Sequence, residues 1–206
     1  MPWYDYVNNG FLLLLWCVIM LKIRMLYKER KNWLLFFASY SLTELIALVE
    51  SKNGNSNLWI YNIASPIQLI LAVSYLCMAL RVDRVKSFLI LILLGTISFI
   101  FYFQKNYNEY NSLEKTTNGG IIIICCALYF YKVITADVNS QNDLSEFWYC
   151  SALFIFFGTS LCVDGAFNYL IEHNIVLAHR LFYILVANSI VFYSLNLYAL
   201  IRHRQS

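Results

Sequence analysis

Two carboxylic acids, Glu44 and Asp164, stand inside long apolar stretches of this chain. Each is costly to bury in hydrocarbon, so each is a candidate for function before any fold is drawn. Two carboxyls in unlike environments can divide the roles of general acid and general base around one water molecule. That chemistry suits hydrolysis of a lipid, and it requires the two groups to approach within about 10 Å. Amides accompany them, because Asn62, Gln68, Asn168 and Asn188 also interrupt apolar sequence. The leading reading takes Glu44, Asn62, Gln68, Asp164, Asn168 and Asn188 together as a ligand-binding set. A catalytic pair of Glu44 and Asp164 is the alternative. Helical spacing supports part of this: Ser160, Asp164 and Asn168 recur at i, i+4, i+8, and Tyr40 shares a face with Glu44. A bland explanation stands beside both, since Ser, Thr and Asn often bond neighbouring helices simply to hold a membrane bundle together.

Other chemistries lack their residues. His173 and His179 are read in a loop, six apart, with no third ligand at a recognisable spacing. Cys17, Cys77, Cys125, Cys126, Cys150 and Cys162 all fall in apolar segments, without the CxxC spacing of a zinc site or the loop placement of a secreted disulfide framework. They read as small packing residues. Neither a metal nor a cofactor is expected. An intramembrane metalloprotease needs HExxH and a rhomboid-type protease needs GxSx with a later histidine, and neither occurs. The last apolar segment, LFYILVANSIVFYSLNLYALI, has no lysine for a retinal Schiff base. A small-solute transporter is a further alternative, but Pro66 alone interrupts a span where paired broken helices are expected.

The elements that must position these residues follow from composition. Of 206 residues, 60% are hydrophobic and 13% charged, and mean hydropathy is +0.59. A soluble domain carries about 25% charged residues to meet water. A globular soluble enzyme, a nucleic-acid-binding domain and a disordered regulator are excluded. Crossing a bilayer takes about 20 mostly apolar residues. The sequence supplies seven such spans, at roughly 9–27, 33–50, 58–80, 86–104, 119–136, 146–171 and 180–201. Charged or polar segments separate them, the longest from Gln104 to Gly120. Runs such as FLLLLW and GIIIICCALYF do not alternate, so a β-barrel is excluded. The expected architecture is all-α, a polytopic transmembrane bundle forming one domain over residues 1–206.

Basic residues orient it. With the N-terminus outside, the inner segments hold Lys22, Arg24, Lys28, Arg30, Lys31, Arg81, Arg84, Lys86, Lys132, Arg202 and Arg204. The outer segments hold only Lys52, Lys105, Lys115 and Arg180. The bias predicts N-terminus out and C-terminus in the cytoplasm. The first span has no basic residue before it and no small-residue cleavage site, so it reads as a retained helix rather than a signal peptide. Trp3, Trp33, Trp59 and Trp148 fall at span ends, where headgroup-level placement is expected. In this orientation the polar set occupies the outer half of the bundle. No lysine or arginine is expected at the depth of Glu44, so it is read as a largely neutral group bonded to Gln68, Asn62 or Asn188, or else facing a watered cavity. Cytoplasmic segments are short, so any signal must pass to a separate protein on that side.

Certain segments resemble a known group. NLWIYN (Asn57 to Asn62), YNS (Tyr110 to Ser112) before the helix holding Gly120 to Tyr131, EFWY (Glu146 to Tyr149) and FFGT (Phe156 to Thr159) occur in that order. The chain resembles small seven-helix integral membrane proteins of Bacteroidota-type bacteria, which are similar to the seven-helix sensory modules of histidine kinases. Their sixth helix usually opens with Pro-x-Phe-Trp; here the position reads Ser145-Glu146-Phe147-Trp148, without the proline. The resemblance implies a bacterial inner-membrane protein of sensory type. It carries no catalytic motif and implies no nucleic-acid partner.

Overall fold

The computed structural model describes residues 3–103, 111–135 and 142–202. Seven helices account for nearly all of them: α1 (Trp3–Glu29), α2 (Lys31–Lys52), α3 (Leu58–Ala79), α4 (Arg84–Phe103), α5 (Ser112–Thr135), α6 (Asn142–His173) and α7 (Ile175–Arg202). No strand occurs among the described residues. Six of the helices, all but α4, contain described stretches long and apolar enough to cross a membrane. The bundle is that of a multi-pass membrane protein. Large side chains such as Leu13, Leu21, Leu45, Phe88, Ile124 and Ile134 point outward from it, as lipid-facing residues do.

Packing is mostly between chain neighbours. The helices α1, α2, α3, α5, α6 and α7 close into a ring, α7 returning to α1, while α4 lies outside against α3 and α5. Aromatic side chains fill the interior. Trp33, Phe36, Phe37, Tyr149, Phe192 and Tyr193 are the bulkiest fully buried ones. Trp33 stacks on Phe37 at 5.5 Å and tilts against Tyr149 at 4.7 Å. Its indole donates to Asn196 Oδ1 at 3.1 Å. The expectation of a headgroup-level Trp33 is therefore corrected: the residue sits near a span end but faces inward, at 1% exposure. Position along a helix sets depth, whereas direction is set by what the neighbouring helices leave to fill.

Two span boundaries need correction. The fifth helix begins at Ser112, not 119, because Asn111 caps it. The Asn111 side-chain oxygen accepts from the Glu114 backbone N–H at 3.2 Å, and the Asn111 amide donates to Glu114 Oε2 at 3.3 Å. This arrangement, related to a capping box, satisfies donors that a helix start otherwise leaves exposed. The expected outer loop holding His173 and His179 is likewise helical. Asn174 alone separates α6 from α7, and its side chain accepts from Leu177 N–H at 3.0 Å as an N-cap. Lys105, Tyr110 and Arg204 lie outside the described residues, as do the side chains of Trp3, Asn168 and His179.

The end of the bundle holding the α1–α2 turn is pinned by basic side chains. Arg30, the single residue between α1 and α2, is 7% exposed and pairs through Nη1 with Glu146 Oε1. Its Nη2 donates to Ser145 Oγ at 3.2 Å, and its guanidinium lies 5.8 Å from the Tyr149 ring centre. Lys132 Nζ donates to the Leu80 carbonyl at 2.6 Å, closing the end of α3 against α5. Lys22 does the same for α7 at the Leu200 carbonyl, at 2.5 Å.

Candidate functional site

At the opposite end, where α2 meets α3 and α6 meets α7, the ring of helices opens around a cavity of about 650 Å³. All six helices of the ring line it. Helix α2 contributes Tyr40 and Glu44, α3 Tyr61, Ser65 and Gln68, and α5 Lys115 and Asn118. Helix α6 adds Phe156, Phe157, Ser160 and Asp164; α1 adds Asn8 and Asn9, and α7 adds Leu185 and Ser189. Asp164 is 8% exposed, so its carboxyl is largely shielded from solvent.

Of the six residues singled out in the sequence, Glu44, Gln68 and Asp164 line this cavity. Asn62 and Asn188 do not. Both are buried, at 4% and 5% exposure, and Asn188 Nδ2 donates to the Phe156 carbonyl at 2.8 Å, tying α7 to α6. Ser160 and Asp164 share the cavity as their spacing predicts, and the third member of that stripe, Asn168, has its side chain outside the described residues.

The surroundings of Glu44 differ from expectation in two ways. Its donor is Tyr61, whose phenol reaches Glu44 Oε2 at 3.4 Å, not an amide. Gln68 instead donates to Thr43 Oγ1 at 3.2 Å, one position away along α2. A cation also shares the cavity. Lys115 lies 5.3 Å from the Tyr61 ring centre, and Asp164, Glu114 and Glu44 all act electrostatically on its ammonium. The early start of α5 at Ser112 puts Lys115 in the first turn of a helix rather than in an outer loop.

Behind the cavity wall stands a third carboxyl. Glu114 is fully buried, at 0% exposure, and is held by Asn111 and by Asn118, whose Nδ2 donates to Glu114 Oε1 at 3.3 Å. The same Asn118 amide donates to Ser65 Oγ at 2.9 Å, so α5 is bonded to α3 at the cavity rim. The signal for Glu114 was in the sequence. Asn111 followed three residues later by Glu114 has the spacing of a helix start, and that rule places Glu114, Lys115 and Asn118 on a helix rather than in a loop.

Aromatic rings pack against the lining at Tyr40 and Phe156. Tyr40 meets Phe156 edge-on at 5.6 Å, Phe192 at 5.8 Å and Tyr193 at 6.4 Å. Phe37 continues from Phe192 and Tyr193, Trp33 from Phe37, and Tyr149 from Trp33. Tyr149 touches the Arg30 cluster at the far end. A continuous column of aromatic side chains thus runs from the lining of the cavity to the ion pair at the α1–α2 turn.

The described residues contain no group of three or more His, Cys, Asp or Glu arranged to hold a metal ion. No family model, curated protein or solved structure matches the chain.

Proposed function

We propose that this chain is a receptor-like membrane protein that binds a small or amphipathic molecule in the cavity holding Glu44. It spans the bacterial inner membrane seven times, with its N-terminus outside and its C-terminus in the cytoplasm, α4 being the seventh span. The observation that carries the reading is the cavity itself: charged and polar groups from separate helices converge on a space whose lining packs against aromatic rings. Occupancy would press on Tyr40 and Phe156, and the column behind them offers a packed route to the Arg30–Glu146 pair. A helix shift there would be read by a separate signalling protein on the cytoplasmic side.

Two experiments test this reading. Purified protein is expected to melt at a higher temperature with a ligand drawn from a broad metabolite and lipid panel, because a ligand that binds only the folded state stabilises it. No shift across the panel would remove the main support. Alkaline phosphatase fused after Ser206 should be inactive and fused within Ser51–Asn57 active, and an active C-terminal fusion would overturn the orientation.

The lipid-hydrolase alternative draws support from one fact, that Glu44 and Asp164 line the same cavity. It requires turnover that is lost in both Glu44→Gln and Asp164→Asn, whereas a receptor needs no turnover at all.

A further inference from the structure

We infer that the cavity selects an organic ammonium group carried on an apolar body, with Glu44 as its counter-ion; this rests on the binding reading above. The lining carries two carboxyls, Glu44 and Asp164, against one ammonium, Lys115. In a space walled by helices and rings, such an imbalance favours a positive guest, since charge inside a low-dielectric bundle is costly unless matched.

Geometry divides the roles of the two carboxyls. Both share the cavity with Lys115, Asp164 from α6 and Glu44 from α2. Glu44 stands on α2 in a lining that also holds Tyr40 and Tyr61, the second of which donates to it. A carboxylate in a lining with tyrosine and phenylalanine rings is a combination that recognises an organic ammonium, through charge and cation–π attraction together. Phe156 and Phe157 extend the apolar wall from there. The volume of about 650 Å³ fits a drug-sized organic molecule, for which pockets run to about 300–1,000 Å³, and greatly exceeds the needs of a bare ion.

The test compares three probes of one shape, phenylbutylamine, phenylbutanol and phenylbutyrate, by thermal shift and calorimetry on the full chain in a neutral detergent. The amine is expected to bind on the order of tenfold or more tighter than the alcohol, the scale of one charge-assisted contact. The carboxylate should bind weakest. Glu44→Gln should abolish the preference for amine over alcohol. A preference for the carboxylate, equal binding of amine and alcohol, or no binding of any probe would overturn the ammonium assignment. A hit for some other class in the broad panel would leave the receptor reading standing, so the two fail separately. The wild-type comparison is decisive even if a variant does not fold. A lipid headgroup and a soluble amine share this chemistry. If phosphatidylethanolamine, but not phosphatidylglycerol, abolishes the shift caused by phenylbutylamine, the occupant is a lipid headgroup. If the shift survives both lipids, it is a soluble amine.

Discussion

Arg30→Met is expected to destabilise the bundle by about 3 kcal/mol, because it leaves Glu146 in the bundle without its cation. Arg30 is 7% exposed and Glu146 25%, so water cannot replace the lost partner fully. The methionine is similar in length, so the loss is one of charge and hydrogen bonds more than of volume. Arg30→Lys should be nearly as damaging. A guanidinium reaches Glu146 through one nitrogen and Ser145 through another, and a single ammonium cannot span both. The double change Arg30→Met with Glu146→Leu should recover most of the stability, since removing both charges removes the uncompensated one. Unfolding in mixed micelles monitored by tryptophan fluorescence gives the measurement, Trp33 being close to the site through Tyr149. A single-variant loss below about 0.5 kcal/mol, the size of an exposed pair, would show that the cluster is solvated. Under the receptor reading the double variant should fold yet lose communication between cavity and cytoplasmic face.

How much of this was legible in the sequence depended on which property each residue expressed. Span number and approximate position followed from apolar length, a property that every residue of a helix repeats. The start of α5 did not, because Glu114, Lys115, Thr116, Thr117 and Asn118 look like a loop when scored by polarity alone. Their polarity faces inward. Glu114 and Asn118 are buried and Lys115 lines the cavity, so the segment is polar for the sake of the interior rather than of water. The same ambiguity misled at the α6–α7 connection, where Glu172, His173 and Asn174 signalled a loop and a single capping asparagine suffices.

Position along a helix fixes which polar residues share a level, but not which share a wall. Asn62 and Gln68 lie on the same helix in the same half of the bundle, yet Gln68 lines the cavity and Asn62 does not. Six residues is well short of two full turns, so the two project in different directions. Tyr61 escaped notice for a related reason. Tyrosine is common in this sequence, and nothing local distinguishes a phenol that meets Glu44 from those that pack in the core.

Glu44→Gln is expected to abolish ligand response while leaving the bundle folded and close to wild-type stability. Glutamine keeps the shape of the side chain and an oxygen that accepts from Tyr61, so α2 and α3 remain joined. What it removes is the titratable carboxyl. Glu44→Leu removes the acceptor as well, leaving the Tyr61 phenol to find another partner, and should cost about 1 kcal/mol, the scale of interhelical bonds in membranes. The two substitutions therefore separate the roles. If Glu44 only joins helices, Glu44→Gln should respond to ligand as the wild type does, and Glu44→Leu should be less stable but otherwise active in proportion to its folded fraction. If Glu44 is the counter-ion of a bound cation, both variants should lose the response, and the stability of Glu44→Gln should stay within a few tenths of a kilocalorie of wild type. Calorimetric titration on both variants, beside their unfolding curves, decides between these outcomes. Full response in both would remove Glu44 from the site and leave Asp164, the other carboxyl of the lining, as the group to substitute next.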